Sequence, residues 1–356
     1  MPMAIHGSIL VTGGAGFIGS AVCRALTREG RTVINLDALT YAATKGALAD
    51  VEAAQTYTFV QADIRDASAL ESVFATFKPD AVLHLAAESH VDRSIGASAP
   101  FIETNITGTH TLLEAARRHW QSLDTQVRDR FRFLHVSTDE VFGSLGDEGA
   151  FNEQTAYDPR SPYSASKAAS DHLVRAWAHT YGLPVLVSNC SNNYGPYQFP
   201  EKFIPNMILK ALNGADLPVY GDGGQVRDWL HVDDHVAALL AILERGAIGE
   251  TYVVGGRSER KNIDVAQTVL ALTRELAPAS AAAQSTIVFV TDRPGHDRRY
   301  AVDCSRIERD LSWHASRGFE QGLRETVQWY IARRDWWAPI LEQKYSGERL
   351  GLKAQV

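Results

Sequence analysis

The chain has 356 residues, 45% of them hydrophobic and 22% charged, and a formal net charge of -7. That balance supports a buried core, argues against disorder, and fits one large domain or two modest ones. It carries no long Lys/Arg run and no stretch of about 20 apolar residues, so neither nucleic acid nor a membrane is an expected partner.

In chain order, short apolar runs at residues 8–12, 32–36, 57–61, 81–85, 131–137 and 184–189 predict strands. They are near-continuous in Val, Ile, Leu and Phe, the pattern of strands covered on both faces. Helical periodicity fills the gaps at 17–28, 67–77, 100–120 and 164–181. The alternation predicts an α/β fold: a doubly wound parallel sheet of Rossmann type. Residues 120–129 are polar and read as a surface loop. Residues 190–205 are dense in Asn, Pro, Gly and Tyr, a loop composition. Beyond them, helices are expected at 204–213, 232–244, 263–276 and 322–333, a turn at 221–224 and a strand at 251–254. The simplest organisation is a dinucleotide-binding domain of residues 1–195 plus about 230–256. A smaller, mostly C-terminal substrate-binding lobe takes about 196–229 plus 257–356.

Three cysteines, Cys23, Cys190 and Cys304, are far apart and lack the close pairs of a zinc or redox site. They read as reduced structural thiols. Residues 1–7 lack the plan of a signal peptide. The expected location is the cytoplasm.

The first strand ends in Thr12-Gly13-Gly14-Ala15-Gly16-Phe17-Ile18-Gly19. Gly13 permits a tight turn, Gly16 lets the backbone approach a pyrophosphate, and Gly19 lets the following helix pack on the sheet. The helix N-terminus then offers free N–H groups to phosphate oxygens. Asp37, at the end of the second strand, can accept ribose hydroxyls and repel a 2′-phosphate, which favours NAD over NADP. Asp63 and Ile64 end the third strand. There Asp63 either meets the adenine or caps the helix at 67. Small residues in Leu85-Ala86-Ala87 let the backbone pass close to the cofactor.

Tyr163 and Lys167 lie at i and i+4, on one face of a helix. An ammonium nearby lowers a phenol's pKa, which would fit Tyr163 to act as a base near neutral pH. Thr138 ends the fifth strand, at the edge where ligands sit in such sheets. Asp139 and Glu140 follow it. Two carboxylates with diverging pKa values can divide into an acid and a base.

The glycine motif with Tyr163-Ser164-Ala165-Ser166-Lys167 resembles the extended, nucleotide-sugar-modifying branch of the short-chain dehydrogenase/reductases. More closely, the chain resembles the family of dTDP-glucose 4,6-dehydratases. The carrying stretches are His84-Leu85-Ala86-Ala87-Glu88-Ser89-His90-Val91-Asp92-Arg93-Ser94, Ser137-Thr138-Asp139-Glu140-Val141-Phe142-Gly143, Asn192-Asn193-Tyr194-Gly195-Pro196, Arg227-Asp228-Trp229 and Asp292-Arg293-Pro294-Gly295-His296. One departure follows Asp37: Tyr41-Ala42-Ala43-Thr44 stands where the family usually has Tyr-Ala-Gly-Asn.

The resemblance implies a closed redox cycle on a tightly bound NAD that is regenerated each turnover. Tyr163, with Lys167 and Thr138, serves oxidation at C4 of the sugar. Glu140 takes the C5 proton, Asp139 protonates the leaving 6-hydroxyl, and C6 is then reduced. It adds Leu39, Thr40, Ser89, Thr104 and Asn193 to the cofactor set. For the substrate it implies Ser89, Thr138, Asn192, Glu201, Lys202, Pro218, Tyr220, Arg227, Asn262, Asp292, Arg293 and His296. It also implies a homodimer through the helices at 100–120 and 164–181. No metal is expected, because His296 has no ligand companion at useful spacing. The alternatives are a dehydratase of another nucleotide hexose, a nucleotide-sugar 4-epimerase or decarboxylase and, more remotely, a non-catalytic NAD-binding regulator.

Overall fold

A computed structural model describes residues 7–345 and 347. Residues 1–6, most of the stretch read for a signal peptide, lie outside the described residues.

The strands are β1 (Ile9–Thr12), β2 (Val33–Asp37), β3 (Tyr57–Gln61), β4 (Ala81–His84), β5 (Arg132–Thr138), β6 (Val185–Cys190), β7 (Asn192–Tyr194), β8 (Leu217–Tyr220), β9 (Val226–His231), β10 (Thr251–Val254), β11 (Glu259–Lys261) and β12 (Ile287–Val290). Seven form one parallel sheet in the order β10-β6-β5-β4-β1-β2-β3. Strand order reverses between β1 and β4, and a crevice opens there at the carboxyl ends of the strands. This is the Rossmann-type sheet the alternation predicts. Its outer strand β3 is the exception to burial on both faces: only Tyr57 of its five residues is buried.

Helices α1 (Phe17–Arg28) and α2 (Ala67–Phe77) match the predicted spans. Asp66, not Asp63, caps α2, accepting from Ser68 N and Ala69 N. The segments α3 (Val91–Gly96) and α4 (Ala99–Phe101) follow β4. The predicted helix at 100–120 is interrupted: Ile102–Gly108 is π-helical before α5 (Thr109–Ser122). The expected loop at 120–129 is also wrong. α5 runs on to Ser122, and a turn of helix, α6 (Thr125–Arg128), returns the Arg128 carbonyl to the Trp120 indole at 3.2 Å. Polar composition there marks an exposed helical face, which single residues do not distinguish from a loop.

The long helix α7 (Pro162–Tyr181) is punctuated at both ends. Ser161 and Ser164 form a reciprocal cap, Pro162 sits in the first turn, and Gly182 ends the helix at φ 74°. Then come α8 (Phe203–Leu212), α9 (Val232–Arg245), α10 (Asn262–Leu276), α11 (Ser305–Leu311), α12 (Phe319–Ala332) and α13 (Arg334–Gln343).

Three apolar clusters result. One joins α1 and α9 to one face of the sheet; another joins α2, α5 and α7 to the opposite face. A third lies among α8, α10, α12 and α13. Short strands β7, β9 and β11 form a small sheet, and β8 pairs β12. These strands were not legible in the sequence. They have three to six residues, and their pairings join distant segments.

Candidate active site

A cavity of about 410 Å³ opens at the strand-order reversal. It runs from Gly13, Gly16 and Gly19, past Asp37 and Asp63, to the end of β5 and the first turns of α7.

The glycine turn is dictated sterically. Gly13 has φ +73°, and a Cβ on it would lie 2.7 Å from the backbone of Ala86. A Cβ on Gly19 would lie 2.1 Å from the Gly13 carbonyl oxygen. Asp37 is buried behind this turn and accepts from Ala15 N at 2.9 Å and Leu39 N at 2.7 Å. Burial raises its carboxyl above the usual range, opposed by these two bonds. Asp63 accepts the Arg65 guanidinium at 2.7 Å, which leaves its edge on the cavity wall. Thr104 reaches the cavity from the π-helical segment, a distortion that re-aims side chains.

At the other end, Thr138 closes β5 and its hydroxyl accepts from Glu140 N at 3.2 Å, turning the chain so that Asp139 and Glu140 follow into the cavity. Asp139 is fully buried, one carboxylate oxygen without a partner. Burial, then the neighbouring Glu140 charge, push its carboxyl well above the ordinary range. Burial raises Glu140 as well, but the Arg293 and Arg227 guanidiniums oppose that rise. The two acids are therefore unequal, Asp139 being raised the further.

Tyr163 enters from the first turn of α7, its backbone N–H held by Ser94 Oγ at 3.2 Å. Lys167 Nζ donates to the Val136 carbonyl at 2.9 Å. Burial and the Glu140 charge raise the Tyr163 phenol well above its ordinary value, against a hydrogen bond from Thr138. The lowered phenol expected from the helical spacing is not found in the chain alone. Sharing a helical face says nothing of burial or of the carboxylates opposite, and these dominate.

Of the residues read from the sequence, Phe17, Ile18, Thr40, Ile64, Leu85, Ala86, Ala87, Ser89, Asn192, Asn193, Glu201 and Lys202 also line the cavity. Leu39 borders a separate hollow against Trp336 and Ile340. Pro218, Tyr220, Arg227, Asn262, Asp292, Arg293 and His296 lie outside the main cavity. Five of these residues belong to an adjoining polar group. Tyr220 and Arg293 both bind Asp92 at 2.9 Å, His296 binds Asp292 at 2.6 Å, and Arg227 donates to the Asp297 carbonyl at 2.9 Å. Asn262 opens α10 with its backbone N–H on Gln225 O. Glu201 is already engaged, by Arg93 at 2.8 Å and the Tyr41 hydroxyl at 2.9 Å. Sequence reasoning missed Asn105. Its side-chain amide takes the Glu88 N–H at 2.8 Å and donates to the Glu88 carbonyl at 3.0 Å, holding the strand-four loop against the cavity. No local signal marks such a residue, because its partners are 17 positions away.

A glycine cradle at a strand-order reversal, joined to a buried tyrosine, lysine and acid pair, defines a Rossmann-type enzyme with acid–base groups beside its dinucleotide cleft. The chain belongs to the nucleotide-sugar 4,6-dehydratase family: the sequence model of GDP-mannose 4,6 dehydratase matches residues 10–326. It is 57% identical to the dTDP-glucose 4,6-dehydratase of Neisseria meningitidis serogroup B, over 96% of this chain and 98% of that protein. The fold is similar to that of DesIV, a dTDP-glucose 4,6-dehydratase from Streptomyces venezuelae solved with NAD bound. The TM-score is 0.85 at 44% identity, covering 94% of this chain and 99% of that one. The Bacillus anthracis dTDP-glucose 4,6-dehydratase in complex with NAD gives a TM-score of 0.83 at 42% identity, covering 94% and 99%.

Proposed function

We propose that this chain is an NAD-dependent dTDP-glucose 4,6-dehydratase, a hydro-lyase converting dTDP-glucose to its 4-keto-6-deoxy product. What carries this reading is one juxtaposition: Thr138, Asp139 and Glu140 share a cavity with Tyr163 and Lys167. A dehydration needs two acid–base groups beyond the pair that serves alcohol oxidation.

The residues fit NAD. At Gly13, Gly14 and Gly19 there is no room for a side chain, and the backbone of this turn would meet the pyrophosphate, Asp37 the ribose, and Asp63 with Ile64 the adenine end. When bound, NAD supplies a positive charge and a two-electron acceptor for C4 that gives the pair back at C6. Tyr163 Oη takes the proton of the 4-hydroxyl, steadied by Thr138 and by the ammonium of Lys167. Glu140, as carboxylate, takes the C5 proton that a 4-keto group acidifies. Asp139, as acid, gives its proton to the departing 6-hydroxyl, which leaves poorly otherwise. Arg227, Arg293 and Lys202 supply positive charge for a diphosphate, and Tyr220 an aromatic face for the base. The dinucleotide-binding part is residues 1–195 with about 230–256, and the rest forms the substrate lobe.

Purified protein incubated with dTDP-, UDP-, CDP- and GDP-glucose tests the reading. The keto product is expected from dTDP-glucose; its formation only from another nucleotide would reassign the substrate. Gly19→Ala is expected to weaken NAD retention by about tenfold or more, since the added carbon strikes backbone that cannot move aside. Cofactor content of the purified variant, with far-UV circular dichroism as control, measures it.

The reading extends to a homodimer through α5 and α7. Ile102 and Tyr181, exposed at 45% and 43%, flank those helices and support it. Light scattering giving a monomer mass would remove it. No helix of the described residues is long and apolar enough to cross a membrane, and a cytoplasmic location is part of the proposal.

A further inference from the structure

Beneath the cavity floor lies a carboxylate that the reaction as described does not use. Asp171 sits one turn along α7 from Lys167 and is wholly buried. Its Oδ2 accepts from the Ser137 hydroxyl at 2.9 Å, the Tyr157 hydroxyl at 2.7 Å and the Asn189 amide at 3.2 Å. The same Asn189 amide also donates to the Thr138 carbonyl at 3.0 Å. Three consecutive residues at the end of β5 are thus gripped from below: Val136 by Lys167, Ser137 by Asp171, and Thr138 by Asn189, itself tied to Asp171. These are the residues that aim Thr138, Asp139 and Glu140.

The charge of Asp171 is also placed to matter. His135 Nε2 lies 3.1 Å from Oδ1, but burial lowers that imidazole to about 4, so it is neutral at pH 7. Burial pushes the Asp171 carboxyl up, and the His135 imidazole, the Lys167 ammonium and the Tyr157 hydroxyl outweigh this and hold it below the ordinary range. It is therefore an anion. The groups facing Lys167 are Asp171 on α7, His135 on β5, His84 on β4 and Cys190 on β6; Tyr163 stands one turn before it on α7. Burial lowers His84 and raises Cys190, so both are neutral at pH 7; burial also raises the Tyr163 phenol well above its ordinary value. Asp171 is the formal negative charge in this set.

We infer that Asp171 is a positioning residue for the reaction: it clamps the end of β5 through Ser137 and Asn189 and supplies the counter-charge that keeps Lys167 an ammonium. The inference rests on the roles given above to Lys167 and Thr138. Removing an anion from beside a buried lysine destabilises its charged form.

Asp171→Asn keeps the shape and an acceptor oxygen but removes the charge. In the purified full-length chain, Lys167 is labelled with a small amine-selective reagent across a pH series and read by peptide mass spectrometry. Half-labelling is expected to move down by about one pH unit or more. The turnover number for dTDP-glucose is expected to fall about 10–100-fold with KM within about threefold, the pattern of misplaced reacting groups rather than lost binding. A folded variant with the wild-type labelling pH, or with native turnover, overturns the inference. Should Asp171→Asn fail to fold, Ser137→Ala and Asn189→Ser decide the matter. Ser137→Ala cuts one bond to the carboxylate, and Asn189→Ser cuts the two made by its amide; both leave the carboxylate in place, so turnover should fall while labelling stays at the wild-type pH, and native turnover in both overturns the clamp. Labelling needs no substrate, so an inactive wild-type protein would count against the proposed function and leave the charge test intact.

Discussion

Asp139→Asn and Glu140→Gln will each stop water loss while leaving C4 oxidation in place. In the proposed mechanism neither acid lies on the proton path of the 4-hydroxyl, which is given to Tyr163. With dTDP-glucose, each variant should accumulate enzyme-bound reduced nicotinamide, seen as its near-ultraviolet absorbance, and release the 4-keto-6-deoxy product about 10²–10⁴-fold more slowly. Both substitutions are near-isosteric and spare the turn that Thr138 builds with Glu140 N. Normal dehydration by both variants would refute the acid and base assignment.

With the roles proposed for them, the same pair sets a pH dependence. Glu140 must be ionised to take the C5 proton, and burial raises its carboxyl, so activity falls on the acid side below that raised value. Asp139 must be protonated to release the 6-hydroxyl. Burial and then Glu140 raise it further, so activity falls on the alkaline side as it ionises. The two lie close enough to titrate as a pair, and the limbs of the bell belong to the dyad rather than to either residue. Water loss measured from the oxidised intermediate should show both limbs.

Tyr163→Phe should abolish both stages, since the proposed mechanism gives Tyr163 the 4-hydroxyl proton. The expected loss in C4 oxidation is about 10²–10⁴-fold, with no reduced nicotinamide appearing. That absence separates it from the acid variants, which stall after oxidation. The ring remains to pack edge-on against Phe101, and the Ser94 bond to the backbone N–H survives, so the fold should hold. Rapid formation of reduced nicotinamide by Tyr163→Phe would move the base elsewhere.

Much of this was legible in the chain. The glycine turn was readable because part of its constraint is local: Gly13 has φ +73°, and a side chain on Gly19 would meet the backbone of Gly13 and Gly14. The α7 pair was readable because four positions make one helical face. By contrast, the short strands β7, β8, β9, β11 and β12 exist through partners far along the chain, and no periodicity of three to six residues marks them. The gathering of Tyr220 and Arg293 on Asp92, over separations of 128 and 201 positions, likewise had no sequence signal.

The sequence by itself determined the alternation of strand and helix, the dinucleotide turn, and which side chains could do chemistry. Each of these depends on neighbours within a few residues or on chemical type. Tertiary structure alone decided the protonation order. Asp139 and Glu140 are adjacent carboxyls of similar intrinsic acidity. They differ because one is sealed from water with an unpaired oxygen while the other also faces Arg293 and Lys202 across the site. It also decided that the Tyr163 phenol is raised rather than lowered, and that Asp171 lies under the floor of the site. Desolvation and charge act through space, so they appear only when distant segments have been packed together.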